Sequence, residues 1–397
     1  MLQVSTVLGG GPVGGDGVEA VAERAVDRIV ELRVYGYDLT YAHDTYVMSK
    51  GRAVSVLTST VVAVRTESGT TGYAEVCPLG TTYLPGFSRG VVAVLEELAP
   101  FLIGVDAGNL HAVSARMEEA LVGHAYAKSV VDVACWDALG KRAGLPCSLL
   151  LGGTTQDEFP LYVAVPLASP EQMAEFVAAA RADGIHRFQL KIGGNPERDA
   201  QRARAVVEAT GEGDVIVCDA NGGWCLQDAT IAVRLLEDLP RVRVEQPCRT
   251  IEECLTVRRL TSLPLILDEV ITDVQALLRC HNAGAMDAVN LKISRLGGLS
   301  AARTVRDLAT ELGLRVTIED TWGGDLTTAA VSHLAASTPE RSFFAASFMN
   351  DWTLEHVAGY EPRSRRGHGS GPAGPGLGVE VDEERLGRPI FVFDGVR

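Results

Sequence analysis

Three carboxylates end three successive short apolar runs, and this pattern is the chain's clearest chemical signal. They are Asp219, Glu245 and Asp268. If the runs are neighbouring parallel strands, ~4.8 Å apart, the three side chains converge at one edge of a sheet. Clustered like charges are unfavourable unless a cation neutralises them, and carboxylate oxygens suit Mg²⁺, or Mn²⁺, better than zinc. A single strand-end acid often caps the following helix instead, but three in succession favour a metal site.

Two lysines flank these acids in the sequence. Lys191 ends the apolar run before Asp219, and Lys292 ends the run after Asp268. This order places two ammonium groups on opposite flanks of a metal-bound ligand. A cation beside Mg²⁺ has a lowered pKa, and a lysine with a near-neutral pKa can act as a base. Such a pair suits removal of a proton α to a carboxylate. A lone strand-end lysine is more often a salt-bridge partner, and the pairing favours catalysis.

The elements that position these residues alternate between short apolar runs and longer amphipathic segments. Eight runs at regular spacing indicate parallel strands joined by seven helices. A charge at the carboxyl end of nearly every strand is typical of a barrel that keeps its chemistry there. We therefore predict an α/β fold with a TIM-like barrel. The predicted strands are Leu161–Val165, Arg187–Ile192, Val215–Asp219, Val242–Glu245, Leu265–Asp268, Ala288–Lys292, Arg315–Glu319 and Ser342–Ala346. The predicted helices between them are Pro170–Ala182, Pro196–Thr210, Gln227–Leu236, Ile251–Leu260, Asp273–Ala283, Leu299–Leu312 and Asp325–Ser337.

The residues ahead of the barrel predict a smaller α+β domain, because three strands are followed by helices. We assign residues 27–155 to this domain and residues 156–362 to the barrel. Residues 363–375 are rich in Gly, Pro, Ser and Arg and indicate a linker. Residues 376–397 are expected to pack back on the first domain. The predicted strands and helices of the small domain are Glu31–Leu39, Val54–Thr66, Thr71–Val76, Gly90–Leu98, His111–Leu121 and Ala127–Ala143.

The first 26 residues form a glycine-rich segment that we interpret as a flexible leader. Within it, Gly9–Gly14 formally matches the dinucleotide pattern GxGxxG. A dinucleotide site needs a complete βαβ unit with an acidic residue on the next strand, and the following pattern does not supply one. The segment also lacks the basic and apolar regions of a signal peptide.

Composition narrows the function classes. The chain has 397 residues and a formal net charge of −15, which argues against nucleic acid as a partner, since basic patches bind its backbone. No apolar run approaches the ~18 residues that a membrane span needs. Eight cysteines are scattered singly, without the spacing of a zinc site. A chain of this size needs no disulfides, so we predict a cytoplasmic protein.

With these residues in place, the chain resembles the enolase superfamily, in its mandelate racemase and muconate lactonizing enzyme branch. The resemblance implies an enolase-like (β/α)7β barrel and an N-terminal α+β capping domain whose loops close the site. It also implies Mg²⁺, a small carboxylate substrate and a homo-oligomer, from dimer to octamer. The segments that carry the resemblance are Ala127–Asp137, Leu150–Gly153, Cys218–Asn221, Val244–Pro247, Leu267–Glu269, Asn290–Lys292 and Arg295–Leu299.

One residue departs from the pattern of this branch. The branch usually carries Lys-x-Lys on the second barrel strand, whereas this chain has Gln189 before Leu190 and Lys191. The catalytic lysine is kept, but the neighbouring cation that would lower its pKa is absent. We therefore expect the substrate itself to acidify its α-proton, for example through a cationic nitrogen on the α-carbon.

Finer motifs are similar to those of members that act on proline derivatives. These members include hydroxyproline-betaine and proline-betaine epimerases and cis-3-hydroxy-L-proline dehydratases. Trp322 could present its π face to a quaternary ammonium, with Glu319 or Asp320 completing a cation site. Trp322 could equally pack against the next helix. Tyr83, from the capping domain, and Gln189 are the other predicted substrate contacts. The motifs are Cys77–Pro85, Gly123–Lys128, Glu245–Cys248 and Asp320–Asp325.

These features predict a Mg²⁺-dependent racemase or epimerase of a proline-type amino acid or betaine, with Lys191 and Lys292 as the acid/base pair. Elimination of water from a cis-3-hydroxy-L-proline is the alternative on the same site. A dipeptide epimerase or cycloisomerase is a third option. A non-catalytic barrel and a dinucleotide enzyme built on the leader's glycines are alternatives from other classes.

Overall fold

The smaller domain is built on an antiparallel sheet. The computed structural model describes residues 26–395, so all but the last residue of the predicted 26-residue leader lies outside the described residues. Three strands follow in sequence, Ile29–Thr40, Val56–Thr66 and Thr71–Val76. A fourth strand from the end of the chain, Phe391–Phe393, pairs with the free edge of the first. This pairing places residues 391–393 on the smaller domain, and the assignment of residues 376–397 as a whole to that domain stays a prediction.

Helices cover one face of this sheet, and the longest of them, Ala125–Ala143, packs most closely. The backbone of this helix approaches Gly72 so tightly that a Cβ at position 72 would lie 2.0 Å from the carbonyl oxygen of Ala134. Only glycine fits at such a contact, which fixes the helix against the sheet. The helices of this domain are Ser88–Leu102, Leu110–Ala120, Ala125–Ala143 and Cys147–Leu150.

The larger domain is a barrel of eight parallel strands in sequential order. A bridge between Leu161 and Ala346 joins the first strand to the last and closes it. These short strands are rich in Val, Ile and Leu, as expected for a parallel sheet that is buried on both faces. The predicted (β/α)7β barrel with a capping domain is confirmed. The strands are β1 Val163–Val165, β2 Arg187–Lys191, β3 Val215–Asp219, β4 Val242–Glu245, β5 Leu265–Leu267, β6 Ala288–Lys292, β7 Arg315–Glu319 and β8 Phe343–Ala346.

Seven helices surround the barrel, and several begin at residues whose side chains cap them. Ser169 and Thr250 each form a capping box, which satisfies backbone N–H groups in the first turn. A four-residue helix, Ile293–Leu296, directly follows β6 and was not predicted. The helices are α1 Pro170–Ala182, α2 Pro196–Ala209, α3 Leu226–Leu236, α4 Ile251–Arg258, α5 Val274–Asn282, α6 Leu299–Glu311 and α7 Asp325–Ala336.

A buried carboxylate ties the capping sheet to the barrel. Glu75 accepts hydrogen bonds from the Tyr37 hydroxyl at 2.6 Å and from the backbone N–H groups of Gly324 and Thr327 at 2.9 and 3.1 Å. The last two residues lie at the start of α7, where N–H groups lack helical partners. One side chain of the capping domain therefore completes a barrel helix, and this docks the cap over the carboxyl ends of the strands.

The segment after β8 stays close to the barrel. Within residues 363–375, predicted as a linker, His368–Gly369 pairs antiparallel with Phe159–Pro160. His333 on α7 contacts both the cap and the tail: its Nδ1 lies 3.2 Å from the Ser148 N–H, and its Nε2 lies 3.0 Å from the Leu377 carbonyl oxygen. Between residues 26 and 395, none of the helices has the length and apolar character needed to cross a membrane. The division into residues 27–155 and 156–362 stays a prediction.

Candidate active site

Strand register brings the predicted acids and lysines to one level of the barrel. Asp219 is paired in register with Lys191 on one side and with Glu245 on the other. Across the barrel, Lys292 is paired with Glu319. These five residues end β2, β3, β4, β6 and β7, and all are buried. The carboxyl ends of the strands therefore carry the charged cluster that the sequence predicted.

The carboxylates group differently from the predicted set. Oxygens of Glu245, Asp268 and Glu319 lie within 4.8 Å of one another. Asp219, the remaining predicted ligand, instead contacts the Nζ of Lys191 through its Oδ2. Four carboxylates thus share one end of the barrel, and three of them lie close enough to hold a single cation.

Both predicted lysines are paired with these acids. Lys292 Nζ lies 2.7 Å from Asp268 Oδ2 and 3.2 Å from Glu319 Oε1. Burial lowers the pKa of a lysine, but the carboxylates at Asp268 and Glu319 outweigh it and raise the pKa of Lys292 well above its ordinary value. The pKa of Lys191 is raised for the same reason, with Asp219 as its main charge partner. A positive charge that drew the carboxylates away from these ammonium groups would lower the pKa values of both lysines.

Asp268 is held ionised by a second cation that the sequence analysis did not single out. Arg295 Nη1 donates to Asp268 Oδ1 at 2.6 Å and to the Asp268 carbonyl oxygen at 2.9 Å. Burial raises the pKa of this carboxyl, but the charges of Arg295 and Lys292 lower the pKa by more, so that it falls below its usual range. Arg295 lies in the unpredicted helix after β6, within a segment on which the resemblance rested.

Two amides hold Glu245 from its other side. Gln189 Nε2 donates to both carboxylate oxygens at 3.1 Å, and Asn290 Nδ2 donates to Oε1 at 2.8 Å. Burial is the largest influence on this carboxyl, and with Asp219 and Asp268 nearby it raises the pKa of Glu245 well above the ordinary value. Gln189 therefore neutralises no charge on Glu245, and it supplies only hydrogen bonds.

The capping domain closes the site with tyrosines. Tyr83 donates its hydroxyl to Glu269 Oε1 at 2.6 Å, and Lys292 Nζ lies 3.4 Å from the same hydroxyl. The first capping loop, residues 41–55, joins the first two strands of the capping sheet. The guanidinium of Arg52, from this loop, lies 5.1 Å from the centre of the Tyr83 ring. Tyr46, from that loop, also faces the cavity. Sequence reasoning found Tyr83 but missed Tyr46, whose only signal was its place in a polar loop between two predicted strands.

A cluster of aromatic rings forms another part of the cavity wall. The Trp322 ring lies 5.2 Å from that of Tyr46 and 5.8 Å from that of Trp352, between ring centres. Its indole N–H is buried and has no hydrogen-bond acceptor within residues 26–395. Tyr162, in the predicted first strand, donates its hydroxyl to Glu319 Oε2. Trp322 thus both packs against other rings and lines the cavity.

Asp320 reaches the cavity but is engaged by the protein. Its carboxylate accepts the Ser294 backbone N–H at 2.9 Å, the Ser294 hydroxyl and the Thr321 backbone N–H at 2.7 Å. Burial raises the pKa of this carboxyl. Its hydrogen bonds fix the turn after Lys292, so positioning that turn is the role that its contacts support. Binding a substrate cation through Asp320 stays a prediction.

The resulting cavity is small and polar. The volume open to the centre of a water-sized sphere is about 20 Å³, which is room for about one water. Its lining includes all the predicted substrate contacts. The lining residues are Tyr46, Met48, Leu79, Tyr83, Tyr162, Gln189, Lys191, Asn221, Lys292, Glu319, Asp320, Thr321, Trp322, Met349 and Trp352.

The donor atoms at this end of the barrel fit Mg²⁺. Every candidate ligand is a carboxylate or amide oxygen, the type that this hard cation prefers. Asn221 Oδ1 and Glu269 Oε2 are buried and accept no hydrogen bond from the described residues. Such orphaned oxygens beside clustered carboxylates are unfavourable without a cation. The residues present are therefore compatible with a bound divalent ion.

Comparison with known protein families gives two adjoining matches. Residues 39–152 match the N-terminal domain of the mandelate racemase and muconate lactonizing enzymes. Residues 172–385 match the enolase C-terminal domain-like family. Together these matches cover most of the capping domain and most of the barrel.

Individual relatives are similar over almost the whole chain. The chain is 43% identical to the cis-3-hydroxy-L-proline dehydratase of Roseibium aggregatum, over 91% of this chain and 99% of the relative. It is 27% identical to the N-succinyl-L-Arg/Lys racemase of Bacillus cereus, over 93% and 99%. A solved enolase-superfamily member from Roseovarius nubinhibens, complexed with magnesium, is 36% identical with a TM-score of 0.87, over 93% of this chain and all of that one.

Proposed function

Because the chain belongs to the enolase superfamily, in its mandelate racemase and muconate lactonizing enzyme branch, we propose that it removes the α-proton of a small proline-type carboxylate and eliminates water from it. The observation that carries this proposal is the placement of Lys191 and Lys292. They end β2 and β6, four strands apart in a barrel of eight, so they face each other across the cavity.

The chemistry divides between these two side chains. Mg²⁺ held by Asp219, Glu245 and Asp268 would supply the positive charge that acidifies a proton α to a carboxylate. One lysine Nζ, in its neutral form, takes that proton from the α-carbon. The opposite lysine Nζ, in its charged form, gives a proton to the other face of the substrate. Tyr83 and Trp322 enclose the ligand, and exclusion of water strengthens each charge interaction.

Elimination from a cis-3-hydroxyproline fits two opposed lysines. In the cis isomer the 3-hydroxyl lies on the same ring face as the carboxylate, so the α-proton lies on the opposite face. One lysine breaks the Cα–H bond, a Cα=C3 double bond forms, and the C3–O bond breaks as the other lysine protonates the leaving hydroxyl. The products are one water and one dehydroproline, so atoms and charge balance. The 43% identity to a protein named for this reaction favours elimination over a change of configuration.

A change of configuration at the α-carbon is the second candidate. The same pair of lysines could remove the proton from one face and return one to the other. Two observations favour it: a racemase is among the relatives, and the Trp322, Tyr46 and Trp352 rings form an aromatic surface that suits a quaternary ammonium. Proline betaines are therefore the substrates to test for this reaction.

Proton NMR in D₂O, with Mg²⁺ and cis-3-hydroxy-L-proline, separates these reactions. Elimination gives a product lighter by one water, whereas epimerisation gives α-deuterium incorporation with the 3-hydroxyl retained. Lys191→Ala and Lys292→Ala should each lower the elimination rate by about 10²–10⁴. Lys50→Ala, at an exposed lysine of the capping loop, should leave the rate unchanged. Turnover of betaines with no water loss would favour the epimerase, and silence towards every proline derivative would refute both.

A further inference from the structure

Three arginines converge at the end of the barrel opposite the carboxylates. Arg187 is the first residue of β2, Arg243 is the second of β4, and Arg315 is the first of β7. Because parallel strands all start at one end of a barrel, these side chains share its amino-terminal mouth. The catalytic lysines end the same or neighbouring strands at the other mouth, so this cluster is separate from the active site.

An aromatic ring organises the cluster. The guanidinium carbons of Arg187 and Arg243 lie 5.4 and 5.3 Å from the centre of the Phe344 ring. Arg315 is anchored nearby, since its Nη1 donates to the carbonyl oxygen of Phe343 at 3.1 Å. Stacking on a ring holds a guanidinium in place without using its N–H donors. Arg243 Nη1 also donates to the Arg241 carbonyl oxygen at 3.2 Å, and the other N–H groups of Arg243, with those of Arg187, are left for another partner.

No carboxylate within residues 26–395 forms a salt bridge with any of the three arginines. The nearby acids are already committed: Asp214 pairs with Arg181 at 2.7 Å, and Asp287 pairs with Arg258 at 2.6 Å. Burial, with the other arginines of the cluster, lowers the pKa of Arg187 and of Arg243. Three uncompensated positive charges therefore face one another in a protein whose net charge is −15.

A cavity opens beside the arginines. It leaves only about 10 Å³ open to the centre of a water-sized sphere, and its lining includes Arg187, Phe344 and, deeper in the barrel, Glu245. Val217 and Ile266 contribute apolar walls. Its inner end is closed by the amide of Gln189. A small anion would therefore meet the guanidinium groups at the mouth itself, outside this narrow interior, where Arg187 and Arg243 are half-buried and Arg315 is exposed.

We propose that the cluster of Arg187, Arg243 and Arg315 binds a phosphate-type oxyanion, either inorganic phosphate or the terminal phosphate of a small metabolite. Planar guanidinium groups match the oxygens of such an anion in paired hydrogen bonds, which gives them a preference over a monovalent halide. A dianion would offset most of the repulsion within the cluster. The overall acidity of the protein opposes non-specific anion binding, so binding would depend on these residues.

Isothermal titration with inorganic phosphate tests the proposal, at constant ionic strength and without Mg²⁺. The wild type should bind one phosphate, and chloride should not compete. Arg187→Gln/Arg243→Gln should weaken binding by at least about tenfold. The matched control is Arg116→Gln/Arg341→Gln, which removes two exposed charges that pair with Glu119 and Glu311. This control should bind as the wild type does.

Two further measurements locate the site and exclude misfolding. Lys191→Ala/Lys292→Ala should still bind phosphate, because the active site lies at the other mouth. Without phosphate, the Arg187→Gln/Arg243→Gln protein should melt no lower than the wild type, since like charges have been removed. Tighter binding of a phosphate monoester than of phosphate would identify a metabolite as the source, and equal binding would identify the free ion. No saturable binding at about 10 mM, or equal loss in the control, would overturn the proposal.

Discussion

Gln189 on β2 donates its amide to both carboxylate oxygens of Glu245 on β4, at 3.1 Å each, across the intervening strand β3. The branch to which this chain belongs usually carries a lysine at the position of Gln189. A neutral amide satisfies the buried carboxylate without balancing its charge. The positive charge that Glu245 needs therefore has to come from elsewhere in the site, and a bound divalent cation is the candidate.

The first prediction concerns this contact. Gln189→Glu keeps the side chain's shape but places a second carboxylate about 3 Å from Glu245, where two like charges cannot both ionise cheaply. We expect the variant to lose roughly 2–4 kcal/mol of unfolding free energy at pH 7.5 without metal, and to regain much of it in excess Mg²⁺. Urea denaturation with and without Mg²⁺ measures this. Equal stability of wild type and variant without metal would mean that the contact is absent in solution.

The second prediction assigns the metal ligands. We expect Asp219→Asn and Asp268→Asn to weaken Mn²⁺ binding at least about tenfold, as loss of a charged ligand does. Glu319→Gln should change it less than about threefold, because Glu319 lies outside the proposed ligand set of Asp219, Glu245 and Asp268. Electron paramagnetic resonance titration of Mn²⁺ gives each affinity directly. If the effects of Asp219→Asn and Glu319→Gln are reversed, the cation takes the Glu245, Asp268 and Glu319 grouping instead.

The third prediction tests the aromatic wall. Trp322→Leu removes a π face worth roughly 1–2 kcal/mol to a desolvated cation. If the ligand nitrogen lies on this ring, KM should rise about 5- to 30-fold with kcat little changed. Trp224→Leu is the matched control, because Trp224 is equally buried but lies outside the cavity lining. A drop in kcat with unchanged KM for Trp322→Leu would show that the ring positions catalytic groups and does not hold the ligand.

The fourth prediction is a pH dependence of stability. His333 accepts the Ser148 N–H and donates to the Leu377 carbonyl, which requires a neutral ring. Burial lowers its pKa from 6.5 to about 4. The unfolded chain therefore binds a proton between these values that the folded chain does not. This histidine's contribution to stability is complete above pH 6.5 and is lost as pH falls towards 4, by about 3 kcal/mol.

Unfolding free energy of wild type and His333→Gln, measured between pH 4 and 8, tests this. The variant should be less stable at pH 8, and its acid slope should be shallower across the window. His111→Gln, at an exposed histidine of helix Leu110–Ala120, should keep the wild-type slope. A His333→Gln slope as steep as that of the wild type would place the acid sensitivity in other residues.

Local signals explain why so much of the barrel could be predicted. Helix α1 begins at Pro170 after the capping Ser169, and α4 begins after the capping Thr250, so their starts were predicted correctly. Asp273 was assigned to helix α5 but is its N-cap, one residue outside. The four-residue helix Ile293–Leu296 was missed because a single turn leaves no periodic pattern to detect.

The site was predictable where its residues lie on strands and unpredictable where distant segments meet. Strand ends mark Lys191 and Lys292, because a position at the end of a strand sets the height of a residue in the barrel and strand order sets its place around the barrel. The contact of Arg295 with Asp268 depends on how one turn folds back, and no spacing rule gives it. Tyr46 reaches the cavity from a loop of the capping domain, far away in sequence. Its position follows from the docking of two domains, which the sequence pattern does not encode.

The pairing of Phe391–Phe393 with Ile29–Thr40 has a consequence for how this chain is made. The ribosome delivers the first strand long before the last, and at ~5–20 residues per second the interval is roughly 20–70 s. Until the last strand arrives, one edge of the capping sheet is unpaired and able to recruit other chains. A message truncated shortly before Phe391 would therefore yield a protein with every catalytic residue present but an open edge, and its defect would be aggregation.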